Sequence, residues 1–192
     1  MTVQEIFQFY ADEVKPALAK AQVSENALPV ELLNEIHAAF DHLKRHFVDG
    51  TPETAACDKA HGHLKRALVD AYKIDFLALQ DEYARISGYP GLKLLESGQF
   101  EPAFHERFDE VRRAAYDARL LANDKDWDKA VDAWMKTSEL GESFRNDFIR
   151  NRSKDFAWAN RTNQTFTVKA LIVSFVLGVV SGLTANHLFS LF

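Results

Sequence analysis

Apolar residues along most of this chain recur at spacings of three and four, the period of an amphipathic helix. Val3, Ile6, Phe7, Tyr10, Val14 and Leu18 predict a first helix, which the stretch Ser24–Pro29 ends. Pro29 suits the start of the next helix, because the first turn does not use the N–H that proline lacks. Leu33, Ile36, Phe40, Leu43 and Phe47 form a second stripe, stopping at Val48–Asp49–Gly50. A long third helix is expected from about Glu53 to Ser87, with capping oxygens at Thr51, Glu53 and Thr54. Its inward face reads Leu64, Ala67, Leu68, Ala71, Ile74 and Ala78. Ser87–Gly88–Tyr89–Pro90–Gly91 is the strongest breaker in the chain, and a short helical turn follows over Leu92–Glu96. Phe104, Phe108, Val111, Ala115 and Ala118 predict a fourth helix. Asn123 and Asp124 cap a fifth, which carries Trp127, Ala130, Val131 and Trp134. With no proline after Pro102, that helix is free to continue through Phe144, Phe148 and Phe156, bending at Gly141. No run alternates apolar and polar residues as a strand would. Helices joined by short links pack antiparallel, so the expected fold is all-α: an antiparallel bundle of four to five helices.

The last stretch differs from the rest. No charged side chain follows Lys169, and Ala170–Phe192 reads ALIVSFVLGVVSGLTANHLFSLF. As a helix rising about 1.5 Å per residue it reaches roughly 35 Å, enough for a hydrocarbon core of about 30 Å. The expectation is one C-terminal transmembrane helix over 166–192, after a helical domain over 1–165. Arg145, Arg150, Arg152, Lys154, Arg161 and Lys169 all precede it, which predicts a single pass with the N-terminal domain in the cytoplasm. Ser174, Gly178, Gly182 and Asn186 recur every four residues, and Gly178 with Gly182 makes a small-xxx-small pair that lets helices approach closely. Association with membrane lipid and with a second copy of the chain are the partners this pattern implies.

Composition narrows the chemistry. A single cysteine, Cys57, excludes an intramolecular disulfide framework and a cysteine-based zinc cluster. Twenty-eight acidic residues against 23 Lys/Arg give a net charge of -5, with no support for nucleic-acid binding over the whole surface. The histidines lack the Glu-x-x-His of di-iron bundles and the His-Glu-x-x-His of metalloproteases. There is no nucleophile elbow and no phosphate loop. Cys57 with His61 one turn away is the nearest approach to an activated thiol. No catalytic residue, cofactor or metal is therefore expected.

One internal repetition does carry a candidate site. DHLKRHFVDG at Asp41–Gly50 matches GHLKRALVDA at Gly62–Ala71 in its His-Leu-Lys-Arg and Val-Asp. If the two segments face each other, Arg45, His46, His63, Arg66 and Asp70 gather into a polar patch. Arg66 and Asp70, four apart, can pair along the helix. The patch reads either as a solvated, ion-paired face or as a site for a nucleotide, an RNA end or a charged partner segment.

The phrase AHGHLKRALVDAYK at Ala60–Lys73, in a helical bundle, resembles HEPN-related proteins of bacterial CRISPR and anti-phage defence, most closely their small membrane accessory proteins. The resemblance spans about residues 30–80. It implies an oligomeric inner-membrane effector that permeabilises the membrane on activation, with a CRISPR or other defence protein or RNA as partner. HEPN ribonucleases cut RNA with an Arg, four to six intervening residues and a His. That spacing is absent here: Arg45 adjoins His46, and Arg66 has no histidine after it until His105. A membrane-tethered scaffold and an RNA-binding or RNase protein are the competing readings.

Overall fold

The computed structural model describes residues 1–25, 29–162, 172, 174 and 175. Among them the chain is helical throughout, with no strand. Helix α1 (Val3–Phe9) starts at a capping box: the Thr2 hydroxyl accepts from the Glu5 N–H, and the Glu5 carboxylate accepts from the Thr2 N–H. A π turn over Tyr10–Val14 joins it to α2 (Lys15–Glu25), so the predicted first helix forms with a widened turn inside it. The extra residue rotates the face that follows. Val14, Ala17 and Ala21 turn inward with Ile6, while Phe7, expected in the core, is 48% exposed.

Helix α3 (Val30–Asp49) is closed by Gly50, whose φ of 72° is a left-handed conformation that an L side chain resists. Its buried face is Leu32, Ile36, Ala39 and Leu43. That face lies one residue round from the predicted stripe, which leaves Leu33 and Phe40 at its edge and Phe47 67% exposed. Helix α4 (Glu53–Ser87) is the axis of the molecule. Its 35 residues reach about 52 Å. The predicted side-chain cap does not form. Glu53 instead accepts the Val3 N–H at 3.0 Å, tying α1 to the start of α4.

After the Gly88–Gly91 break, a 3₁₀ stretch (Leu92–Gly98) leads into α5 (Phe100–Asn123) and then α6 (Trp127–Phe144). The Asp126 carboxylate caps α6 through the Lys129 N–H. The expected bend at Gly141 does not occur. Gly141 lies where α4 comes close: a Cβ there would sit 3.0 Å from Leu79 Cδ2. The helix changes four residues later, in a second π turn over Arg145–Ile149, and ends at Arg150 (ψ 139°) and Asn151 (φ 68°). Residues 153–162 are again helical. That last helix is fixed by a backbone contact: the Gly91 N–H donates to Ala159 O at 3.0 Å, and a Cβ on Gly91 would lie 2.7 Å from Ala159 Cα.

Contacts along α4 set the directions. Val3 meets Glu53 and Phe9 meets His61, while Lys20 reaches Asp75, so α1–α2 runs parallel to α4. Helix α6 also runs parallel to it, from Arg66 beside Trp127 to Leu79 beside Gly141. Helices α3 and α5 run the opposite way, as the short links require. The core is continuous from Ile6 to Phe156. Its C-terminal half is an aromatic stack in which Tyr83 lies 3.7 Å, centroid to centroid, from Phe108, with Phe104, Phe144 and Phe148 around them.

The predicted membrane helix requires correction. Among the described residues no helix is long and apolar enough to cross a membrane. The fold is an all-α bundle, and the single-pass, inner-membrane, pore-forming effector built on that helix does not stand. Of the residues assigned to helix association, Ser174 is helical and exposed. Gly178, Gly182 and Asn186 lie outside the described residues, as does the expected domain boundary at 165/166.

Candidate functional site

The predicted patch assembles only in part. His63 and Arg66, on α4, meet Glu35 of α3, a residue the sequence did not single out. Arg66 donates through Nε to Glu35 Oε2 (2.9 Å) and through Nη2 to His63 Nδ1 (2.6 Å), and Nδ1 lies 2.7 Å from the same carboxylate oxygen. Neutral His63 with its proton on Nε2 accepts from Arg66. Protonated at Nδ1, it gives that hydrogen to Glu35 instead. The Arg66 guanidinium also lies over Trp127, 5.8 Å from the ring centroid. His42 stacks on His63 at 5.1 Å. Burial, then His63, Arg45 and Lys59, push its pKa below the ordinary value, against Asp41.

The other three patch residues go elsewhere. Arg45 pairs with Asp41 on its own helix, and His46 Nδ1 lies 2.9 Å from the Thr51 carbonyl at the helix end. Asp70 takes Lys73 rather than Arg66. Cys57 is fully buried in the core, and burial raises its thiol pKa, the reverse of activation. Among the described residues no group of His, Cys, Asp or Glu is disposed to hold a metal.

A more connected site lies where α2, α4 and α6 meet. Asp75, 4% exposed, interrupts the apolar face of α4 between Ala71 and Leu79. Lys20 of α2 pairs with its Oδ2 at 2.8 Å and Arg145 with its Oδ1 at 2.9 Å, and Ser138 donates to Oδ2 at 3.3 Å. Arg145 also donates to the Asp75 carbonyl (3.2 Å) and contacts Glu142 (3.1 Å) and Glu82 (3.4 Å). Glu142 bridges back to Lys20 (2.9 Å) and out to Arg150 (2.7 Å). Burial alone would raise the Glu142 carboxyl, but the hydrogen bond and charge of Lys20, with Arg150 and Arg145, hold its pKa at about 2. Burial likewise opposes the charge on Arg145, yet Asp75, Glu142 and Glu82 outweigh it and push its pKa up.

Arg145 occupies the first position of the second π turn, which places it over the α4 carboxylates. The network floors a cleft of about 800 Å³. Lys20, Arg85, Arg145 and Arg150 line it together with Asp75, Asp81, Glu82 and Glu142, and Ala19, Val23 and Ala78 form its apolar wall. A shallower cavity of about 510 Å³, containing Tyr72 and Met135, adjoins across Glu142.

None of these network residues was in the predicted patch. Asp75 and Arg145 are 70 positions apart, and no motif spans such a distance. One signal did exist: a carboxylate at a core position of an otherwise apolar stripe. Such a group must find a partner or lose its charge.

The fold and the site together define an all-α bundle with a charge-balanced cleft between three helices. No family model, curated protein or solved structure matches the chain. The HEPN-like resemblance therefore rests on the phrase Ala60–Lys73 alone.

Proposed function

We propose that this bundle is a binding module whose cleft between α2, α4 and α6 takes a peptide segment bearing both positive and negative side chains. The observation that carries this reading is the position of Arg145. It is turned into the cleft by the second π turn and held by Asp75, Glu142 and Glu82. Those inner charges satisfy one another, so the floor is a rigid pattern of fixed sign, suited to recognition. The rim carries Asp81 and Arg85, neither of which makes an ion pair among the described residues, beside exposed Val23. A segment of alternating charge matches such a rim. A uniformly acidic or basic one meets like charges.

Calorimetric titration of the full chain with peptides of alternating Glu and Arg, of Glu alone and of Arg alone tests this. The alternating peptide should bind, and Asp81→Lys and Arg85→Glu should each weaken it about tenfold while leaving the helical content unchanged. Equal binding of all three peptides, or no effect of either substitution, refutes the reading.

A further inference from the structure

A third cavity, of about 370 Å³, lies between the end of α4 and the helix at 153–162. Its walls are of two kinds. Tyr89, Ile149 and Phe156 make an apolar side, while Arg85, Asn151, Ser153 and Asn160 supply polar groups. Among the described residues no Asp or Glu lines it, in contrast to the cleft, where acids and bases are equal in number. Arg85 is set in place by Tyr89: its Nη1 donates to the phenol oxygen at 2.6 Å, and the guanidinium lies over the ring, 5.9 Å from the centroid. Among the described residues it makes no ion pair, and it borders both this cavity and the cleft. Close by, the backbone of Gly91 meets that of Ala159 directly and joins the two walls.

We infer that this cavity is a binding site for a small anion carrying a planar aromatic body, an aryl phosphate or aryl carboxylate. Arg85 meets the anionic head, a charge-assisted hydrogen bond with a donor fork left over after Tyr89 is satisfied. The side-chain amides of Asn151 and Asn160 add neutral donors, and the ring lies against Tyr89 and Phe156. The inference does not depend on the peptide reading of the neighbouring cleft, from which it differs in every lining residue except Arg85.

Phenyl phosphate is the probe, with inorganic phosphate and phenol as its two halves, titrated into the full chain and followed by calorimetry. Phenyl phosphate should saturate one site with a dissociation constant below about 1 mM, and each half should bind at least about tenfold more weakly. Arg85→Gln should weaken phenyl phosphate by about tenfold or more. Ser153→Asp, which sets a negative charge inside this cavity at a residue that does not itself line the cleft, should abolish its binding. Absence of saturation, inorganic phosphate binding as well as phenyl phosphate, or unaltered binding in Ser153→Asp each overturns the inference.

Discussion

Removal of Arg145 tests the physics of the charge network most directly. Arg145→Met keeps most of the side-chain stem and so most of its packing, but takes away the guanidinium. Asp75 then keeps Lys20 at 2.8 Å and Ser138 at 3.3 Å, and loses its partner at 2.9 Å. Its carbonyl loses a donor as well, and Glu82 loses its cation. Breaking a buried pair by removing one member destabilises by about 3–5 kcal/mol, because the other charge remains out of water. Asp75 retains Lys20, itself one-third exposed, so the expected loss is at the lower end, about 3 kcal/mol. Urea unfolding followed by circular dichroism measures it, as a lower midpoint with an unchanged slope. The double variant Asp75→Leu with Arg145→Met should recover at least about half of that loss, since it leaves no unpaired buried charge. A loss below about 1 kcal/mol in the single variant, or no recovery in the double one, shows that water reaches Asp75 and refutes the reasoning.

Acid should act on two parts of the bundle in different ranges. The pKa values of His42 and His61 are lowered in the fold, mainly by burial, so the unfolded chain binds their protons first; stability should fall as pH drops through about 6.5, less so in His42→Gln, by urea midpoints across pH. Glu142, with its pKa lowered to about 2, contributes stability that is complete above about pH 4.5 and lost as pH falls toward 2. Glu142→Gln should remove that acid-range loss and lower stability at neutral pH. Gly91→Ala forces the 153–162 helix off the Gly88–Gly91 turn, because the new methyl meets the Ala159 backbone; limited trypsin digestion should then cut at Arg150, Arg152 and Lys154 far faster than in the parent. Gly50→Ala has open space around it, so only its φ of 72° matters, and thermal unfolding should report a loss of about 1 kcal/mol.

Helix positions were legible in the sequence wherever punctuation is local. Pro29, Gly50 with Pro52, the Gly88–Gly91 run and Asn123–Asp124 each punctuate the chain through their own backbone chemistry; α3 and α4 begin and end close to them, as α5 ends and α6 begins, although the cap of α6 is Asp126 in place of the expected Asn123 or Asp124. Helix faces were read less well. Phe7 and Phe47 fit the apolar period but lie outside the buried faces that Ile6 on α1 and Leu32, Ile36, Ala39 and Leu43 on α3 define. A π turn, moreover, is marked by no residue type. The same blindness put a bend at Gly141 when the helix changes at Arg145. The repeated His-Leu-Lys-Arg phrase singled out His63 and Arg66 but not their partner Glu35, because local pairs such as Arg45–Asp41 and Asp70–Lys73 take up the other charges. The Asp75 network depends on residues brought together from three helices, and only the folded chain shows them together.

The length of α4 has a consequence for how the molecule comes apart. Its first half is covered by α1 and α3 and its second half by α5, while α6 lies along both from Arg66 to Leu79 and meets the Asp75 network at the middle. One continuous helix thus has different neighbours at its two ends, with α6 joining them. Amide hydrogen exchange along α4 should accordingly resolve into two blocks of protection meeting near Asp75, each opening with its own free energy, instead of a single value for the whole rod.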